Sequence, residues 1–256
     1  MKPYIYGVRE GVHVIDLTKS DALLKEACEA VYALGKEGKI LLFVGTKKQA
    51  KPIIEEAAKR LQAPYMVERW MGGFLTNFEE IKKNIKLLKD LREQKSKGEL
   101  SKYTKKEQLL ISRKMDKLEK DFVGVMDLER VPDAVFVVDS ASDNVAVREA
   151  NRLQIKVIAI ADSNCNISEI DYPIPGNDDA IKSIKILVEA VASAYEEGKK
   201  EAGKVAEKAA KKASASAEAL ADKEKDGIDE ELKGEVAAAE EMVEKKAVKD
   251  AERVVT

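Results

Sequence analysis

Two short stretches carry residue types suited to holding an anion. In VGTKKQAKP (44–52), Thr46 stands where it could cap a helix whose first turn holds Lys47 and Lys48. A helix start favours acidic residues because the macrodipole is positive there, so two lysines are locally unfavourable unless a phosphate or similar anion offsets them. The plainer alternative is two exposed lysines, costing roughly a few tenths of a kcal/mol. Pro52 means that the helix either begins near Lys51 or is kinked. In ERWMGGFLTNF (68–78), Gly72 and Gly73 allow a sharp turn and close backbone approach. Arg69 and Trp70 flank that turn as an electrostatic handle beside a stacking surface, a pairing suited to RNA. Asn77 can bond a base edge or cap the next helix. The same residues also have a purely structural reading: Trp70 packed against its own domain, Arg69 in a surface ion pair and Asn77 an N-cap.

Catalytic chemistry has little to work with. His13 is the only histidine, and nothing near it suggests a triad. With Cys28 and Cys165 as the only cysteines, there is no disulfide framework and no ligand set for a structural zinc. Cys165 has no basic neighbour to activate it. Asp139 and Asp162 each close an apolar run and could hold Mg²⁺, but such aspartates are commonly turn or cap residues. No GxGxxG follows a strand and no GxxxxGK[ST] occurs. DSASDNV (139–145) and the Asn177, Asp178, Asp179 helix start would repel a phosphate. The expectation is no catalytic residue, no metal and no cofactor.

The charge is unevenly distributed. The 256 residues hold 45 Lys and Arg against 47 Asp and Glu, a formal net of −2. Residues 82–120 hold 14 basic and 6 acidic side chains, a net of +8, and residues 196–256 hold 13 and 17, a net of −4. A strongly basic insert in an otherwise acidic chain is the electrostatic footprint of a polyanion-binding surface, although a lysine-rich solvated hairpin has the same composition. No apolar stretch approaches the length that crosses a bilayer, and the opening lacks the pattern of a secretory signal. A reducing, cytoplasmic setting is expected.

The elements that must position these residues follow from hydrophobic period. KILLFVG (39–45), PDAVFVVD (132–139) and KVIAIAD (156–162) are apolar runs of the kind buried on both sheet faces. VHVIDL (12–17), Tyr65–Val67 and IDYPI are further strands. Helices are expected over 21–34, around the face of Ile53, Ile54, Ala57, Ala58 and Leu61 that Ala63 and Pro64 stop, over 143–153 with Asp143 as N-cap, and from about 177 to 195. This alternation predicts a mainly parallel α/β sheet with helices on both faces, in residues 1–77 and 123–195. Residues 78–122 interrupt it. Ile81, Ile85 and Leu88, then Ile111, Met115, Leu118 and Phe122, recur at helical spacing on either side of a polar connection, which predicts an antiparallel helical hairpin with a short apolar seam. From 196 onward Ala, Lys and Glu dominate with no aromatic residue, and a mobile tail is expected.

RWMGGFLTNF, together with VGTKKQA, ISRKMDKLEKDFVGV, the opening MKPYIYGVREGVHVIDL and the run from PDAVFVVD to DDAIKSI, resembles the bacterial-type ribosomal protein S2 family of the small ribosomal subunit. The resemblance covers about residues 1–195. It implies a Rossmann-like or flavodoxin-like sheet domain with an inserted coiled-coil hairpin, and a structural protein without catalysis. The partners it implies are small-subunit ribosomal RNA and neighbouring small-subunit proteins, including the large RNA-binding protein S1, with no membrane role. Lys47 and Lys48 match the family's TKKQA motif, and Arg69, Trp70, Gly72, Gly73 and Asn77 its RW-x-GG-x-LTN motif. The coiled-coil insertion takes in Lys82, Lys83, Lys86, Lys89, Arg92, Lys102, Lys105, Lys106, Arg113, Lys114 and Lys117, for which charge suggests RNA contact. Family members usually carry a GxHFGH-like segment ahead of MKPYI, so an N-terminal piece is expected to be missing. Lys156 stands where proline is usual. Two other functions fit the pattern: an enzyme of flavodoxin-like fold binding a small phosphate ligand at Lys47 and Lys48, and an adaptor using the hairpin seam.

Overall fold

Five strands form one parallel sheet because their residues are apolar at nearly every position, the exposed Lys156 at the start of β6 apart, and the central ones must be covered twice. They are β3 (Leu41–Val44), β4 (Tyr65–Met66), β5 (Ala134–Val137), β6 (Lys156–Ala161) and β7 (Tyr172–Pro175), in the order β4-β3-β5-β6-β7. Numbered within the sheet this is the 2-1-3-4-5 order of a flavodoxin-like, Rossmann-type sheet. The computed structural model describes residues 1–204, with the side chains of Lys2 and Ser101 left aside. Among these, Met1–Ala202 form one compact unit. The expected tail falls largely beyond residue 204, outside the described residues.

The period of two sorts the strand residues onto two cores. Leu41, Phe43, Ala134, Phe136, Val138, Ile158, Ile160 and Ile174 face one layer of helices: α1 (Leu17–Lys36), α2 (Lys51–Leu61) and α6 (181–204). Leu42, Val44, Val135, Val137, Val157 and Ala159 face the other, made of α5 (Asn144–Arg152), the loop after β4 and the bases of α3 (Phe78–Ser96) and α4 (Lys105–Phe122). The expected strands and helices are thus present, with α1 starting earlier than expected, at Leu17 behind its N-cap Asp16, α6 starting later, at 181 after the Asn177 turn, and three further adjustments. First, α2 starts at Lys51 with Pro52 in its first turn, where the missing N–H is harmless. Second, α6 does not stop at Tyr195, where the apolar stripe ends. Gly198 and Gly35 let α6 and α1 approach backbone to backbone: a Cβ on Gly198 would lie 2.3 Å from the Tyr32 carbonyl oxygen. Third, Val12–Ile15 (β2) stays outside the main sheet. It pairs antiparallel with β1 (Ile5–Arg9) around Glu10 and Gly11, both at positive φ, 52° and 82°, as a tight two-residue hairpin turn requires.

Helices α3 and α4 pack on each other. Ile81, Ile85, Leu88 and Leu91 of α3 are buried with Met115 and Phe122 of α4, while Ile111 and Leu118 are partly covered. Arg92 Nε donates to Glu119 at 2.8 Å from one helix to the other. Thr104 opens α4 with a complete capping box to Glu107. Among the described residues no helix is long and apolar enough to cross a membrane.

Candidate nucleic-acid interface

The crevice beyond the carboxyl ends of β3 and β5 is the switch point of this strand order, where a sheet of this kind binds ligands. Here it is closed by its own side chains. Ala50, not Thr46, is the N-cap of α2, so Lys47 and Lys48 precede the helix in a turn and do not occupy its first turn. Thr46 Oγ1 donates instead to Asp143 at 2.9 Å. That partnership explains why Asp143, at the N-cap position of α5, makes no side-chain cap bond there. Lys47 Nζ lies 2.6 Å from Asp179, 2.8 Å from Asp178 and 3.5 Å from Asp139. Asp139 also accepts from Ala141 N, Ser142 N and Ser142 Oγ.

The protonation preferences follow from this crowding. Burial alone would lower Lys47, but its hydrogen bonds to Asp178 and Asp179, with the charges of Asp178 and Asp139, outweigh burial and hold it above its usual value. Asp178 is raised, first by desolvation and then by the neighbouring Asp139 and Asp162, with Lys47 pulling the other way. Both shifts are upward because one ammonium serves three carboxylates. Asp143 is raised by desolvation, which Thr46 only partly offsets, with Asp139 adding repulsion. Asp139 is also desolvated, yet its bonds from Ser142 and Ala141 and the charge of Lys47 keep it below the usual value. A phosphate entering here would meet Asp139, Asp143 and Asp178, with Lys47 already committed. Asp162, Asp178 and Asp179 lie close enough together for a cation, and Lys47 Nζ already sits against two of them. Lys48 is exposed and makes no ion pair among the described residues.

The Arg-Trp corner is held from beneath by a residue that the sequence reading did not single out. Glu149 of α5 is 8% exposed, and its carboxylate accepts from Gly73 N at 2.7 Å, Leu75 N at 3.0 Å, Thr76 N at 3.3 Å and Trp70 Nε1 at 3.2 Å. Backbone N–H groups converging on a buried carboxylate satisfy one another's hydrogen-bonding needs and fix the loop. Gly73 takes φ +84°, a left-handed conformation, whereas Gly72 stays outside that region. Trp70 is 7% exposed and stands edge-on to Phe74 at 5.3 Å between ring centroids, so its ring is part of the core and is not presented to a base. Arg69 and Asn77 are exposed. Arg69 has no ion pair among the described residues, and Asn77 sits at the α3 N-cap position without a side-chain cap bond. A signal for Glu149 was present: helical spacing puts it on the buried face with Ala146 and Ala150.

On α3 and α4 the basic residues have the opposite character. Lys82, Lys83, Lys86, Lys89, Lys102, Lys105, Lys106, Arg113, Lys114 and Lys117 are largely exposed, and Arg92 is partly so. Lys83 pairs with Glu80, Lys89 with Asp127 at 3.8 Å and Arg92 with Glu119. The others have no ion pair among the described residues. Lys82, Lys83, Lys86 and Lys89 line, with Arg130, a groove of about 670 Å³ whose apolar lining is Ile85, Met126 and Leu128, joined by Glu79 and Glu129. The structure therefore gathers the α3 lysines on one surface, keeps Arg69 and Lys48 exposed, and removes Lys47 and Trp70 into internal contacts.

Comparison with known proteins adds an independent line. A family model described as ribosomal protein S2 matches residues 1–198. The chain is 47% identical over 200 residues to the small ribosomal subunit protein uS2 of a Nitratiruptor species, covering 78% of this chain and 75% of that one. It is 49% identical over 199 residues to uS2 of Dictyoglomus thermophilum, covering 78% and 81%. It is 46% identical over 199 residues to uS2 of Wolinella succinogenes, covering 78% and 73%.

Proposed function

This chain belongs to the ribosomal protein S2 family, and from that premise we propose that it binds small-subunit ribosomal RNA through the basic surface of α3 and α4. Its role in the small ribosomal subunit is structural, serving translation without catalysis. In this reading residues 78–122 are a coiled-coil hairpin inserted into the α/β platform of residues 1–77 and 123–195, with α6 carrying that platform on past Tyr195. The setting is the bacterial cytoplasm, and neighbouring small-subunit proteins, the large protein S1 among them, dock on the assembled protein.

The observation that carries this reading is the run of exposed cations on α3 and α4 that lack intramolecular counterions among the described residues. When such cations neutralise phosphates they release the counterions condensed on the RNA backbone, which makes binding strong and salt-dependent. Arg69 and Lys48 add two exposed cations on the platform. The α/β body orients the hairpin, and Glu149 sets the corner that leads into α3.

Co-sedimentation of the full chain with small-subunit particles at low and high salt tests the proposal. Retention at low salt and release at high salt is the expected result, and RNA-independent retention would sink it. The enzyme reading requires a small phosphorylated ligand at the crevice, where Lys47 is neutralised by three carboxylates. Calorimetry with nucleotides is expected to show no heat.

A further inference from the structure

Trp70 and Tyr103 exchange the roles that their residue types suggest. The indole that stood out as a stacking surface is buried, whereas in the segment 78–122 the exposed aromatic side chain is Tyr103, at 46%. We propose that Tyr103, with Lys102, Lys105 and Lys106, forms a stacking site for an unpaired nucleobase of RNA. This rests on the RNA-binding reading above and deepens it.

The backbone around Tyr103 is fixed. Its N–H donates to the Leu100 carbonyl at 3.2 Å, and its own carbonyl accepts from Gln108 Nε2 at 2.9 Å. The next residue, Thr104, is locked by the capping box, with its N–H donating to Glu107 at 2.9 Å. A side chain just before an N-cap ordinarily packs on an apolar residue in the first turn of the helix, four positions beyond the cap. That position here is Gln108, so the ring has no apolar partner there and about half of the residue is left open to solvent. Lys102, Lys105 and Lys106 surround it in sequence, all exposed and without ion pairs among the described residues. Of the nearby acids, Glu107 is committed to the cap.

A pre-positioned aromatic face beside free cations is the arrangement that binds single-stranded nucleotides: the ring stacks on a base and the ammonium groups take the flanking phosphates. Because every base has a π-face, the site is tolerant of sequence. Little ordering is needed on binding, since the backbone is already held.

The test is a binding titration of the full chain against protein-free small-subunit ribosomal RNA over a series of salt concentrations. Tyr103→Ala is expected to weaken binding by roughly 5- to 150-fold, the range of one lost base stack, with the salt slope unchanged. Tyr103→Phe keeps the ring and should stay within about twofold of the parent. Lys105→Gln should lower the slope by about 0.7 to 0.9. Tyr103→Trp adds an exposed indole whose emission is quenched when RNA stacks on it. Parental binding by Tyr103→Ala overturns the stacking site and leaves the RNA reading standing. Absence of binding by the parent chain itself overturns both.

Discussion

The carboxyl-end crevice of the sheet and the α3–α4 pair are both rich in charge, and they handle it in opposite ways. In the crevice Lys47 meets Asp139, Asp178 and Asp179, Thr46 meets Asp143, and nearby Glu149 meets three backbone N–H groups and an indole. On α3 and α4 most lysines face water alone. A cation with a built-in counterion contributes to folding and offers little to a ligand, because an incoming phosphate must displace a carboxylate that is already in place. A solvated lysine contributes almost nothing to folding and is available for binding. Stability and function are therefore separable by region, and substitutions can test that division.

The largest effect is expected at Glu149. Glu149→Ala leaves the Leu75 N–H and the Trp70 indole without their acceptor in a buried place, and the part-buried Gly73 and Thr76 N–H groups without theirs, at a cost of about 3 kcal/mol. Urea unfolding measures the loss, and the loop's amide exchange should rise with it. An unchanged unfolding midpoint would show that water replaces the carboxylate and that the corner is held by other contacts. Next comes Lys47→Met, which strands Asp139 and Asp178 in the crevice and should cost about 3 kcal/mol. Its RNA salt slope should equal that of the parent; a reduced slope would make Lys47 a phosphate contact after all and break the comparison.

On the other side, joint replacement of Lys82, Lys86, Lys105 and Lys114 by glutamine should lower the salt slope by about 3, a loss of affinity that grows by about 1,000-fold between 1 M and 0.1 M salt. The unfolding midpoint should hardly move, since all four are exposed and without ion pairs among the described residues. Loss of stability without change in slope would place these lysines with the crevice group.

The fold was largely legible because its signals are local. KILLFVG, PDAVFVVD and KVIAIAD announce doubly covered strands, whereas Pro52 leaves two readings of α2 open, of which the structure takes the start at Lys51. What escaped was set by contacts between distant segments. The continuation of α6 past Tyr195 depends on Gly198 meeting Gly35 and Tyr32, which no apolar period reveals. At the site, the free lysines of α3 and α4 follow from composition, whereas the fates of Lys47 and Trp70 depend on partners far along the chain, Asp178 and Glu149. A lysine read by itself looks available; only its neighbours in space decide. The hairpin β1–β2 was missed for a local reason, since Glu10 is an unusual residue for a turn position at positive φ.

The smallest predicted effects sharpen the comparison within the crevice itself, where two buried aspartates are held in opposite electrostatic states. Asp139 titrates below its unfolded value of 3.8, so its ionised form stabilises the fold at neutral pH, and that contribution is lost as pH falls through the folded value, below 3.8. Asp143 titrates above 3.8, so its ionised form is a burden at neutral pH that protonation relieves as pH falls toward 3.8. Asp139→Asn should therefore cost about 1 kcal/mol at pH 7, part of the loss being offset by relief of Asp143. Asp143→Asn keeps an acceptor for Thr46 and should be neutral or slightly stabilising. On acidification the two differences from the parent should vanish in a fixed order, that of Asp143→Asn while the pH is still above 3.8 and that of Asp139→Asn only below it. Unfolding free energies from urea titrations between about pH 7 and pH 3 give that order directly. If Asp139→Asn converges on the parent first, Lys47 and Ser142 do not hold Asp139 ionised, and the crevice is less completely compensated than its hydrogen bonds indicate.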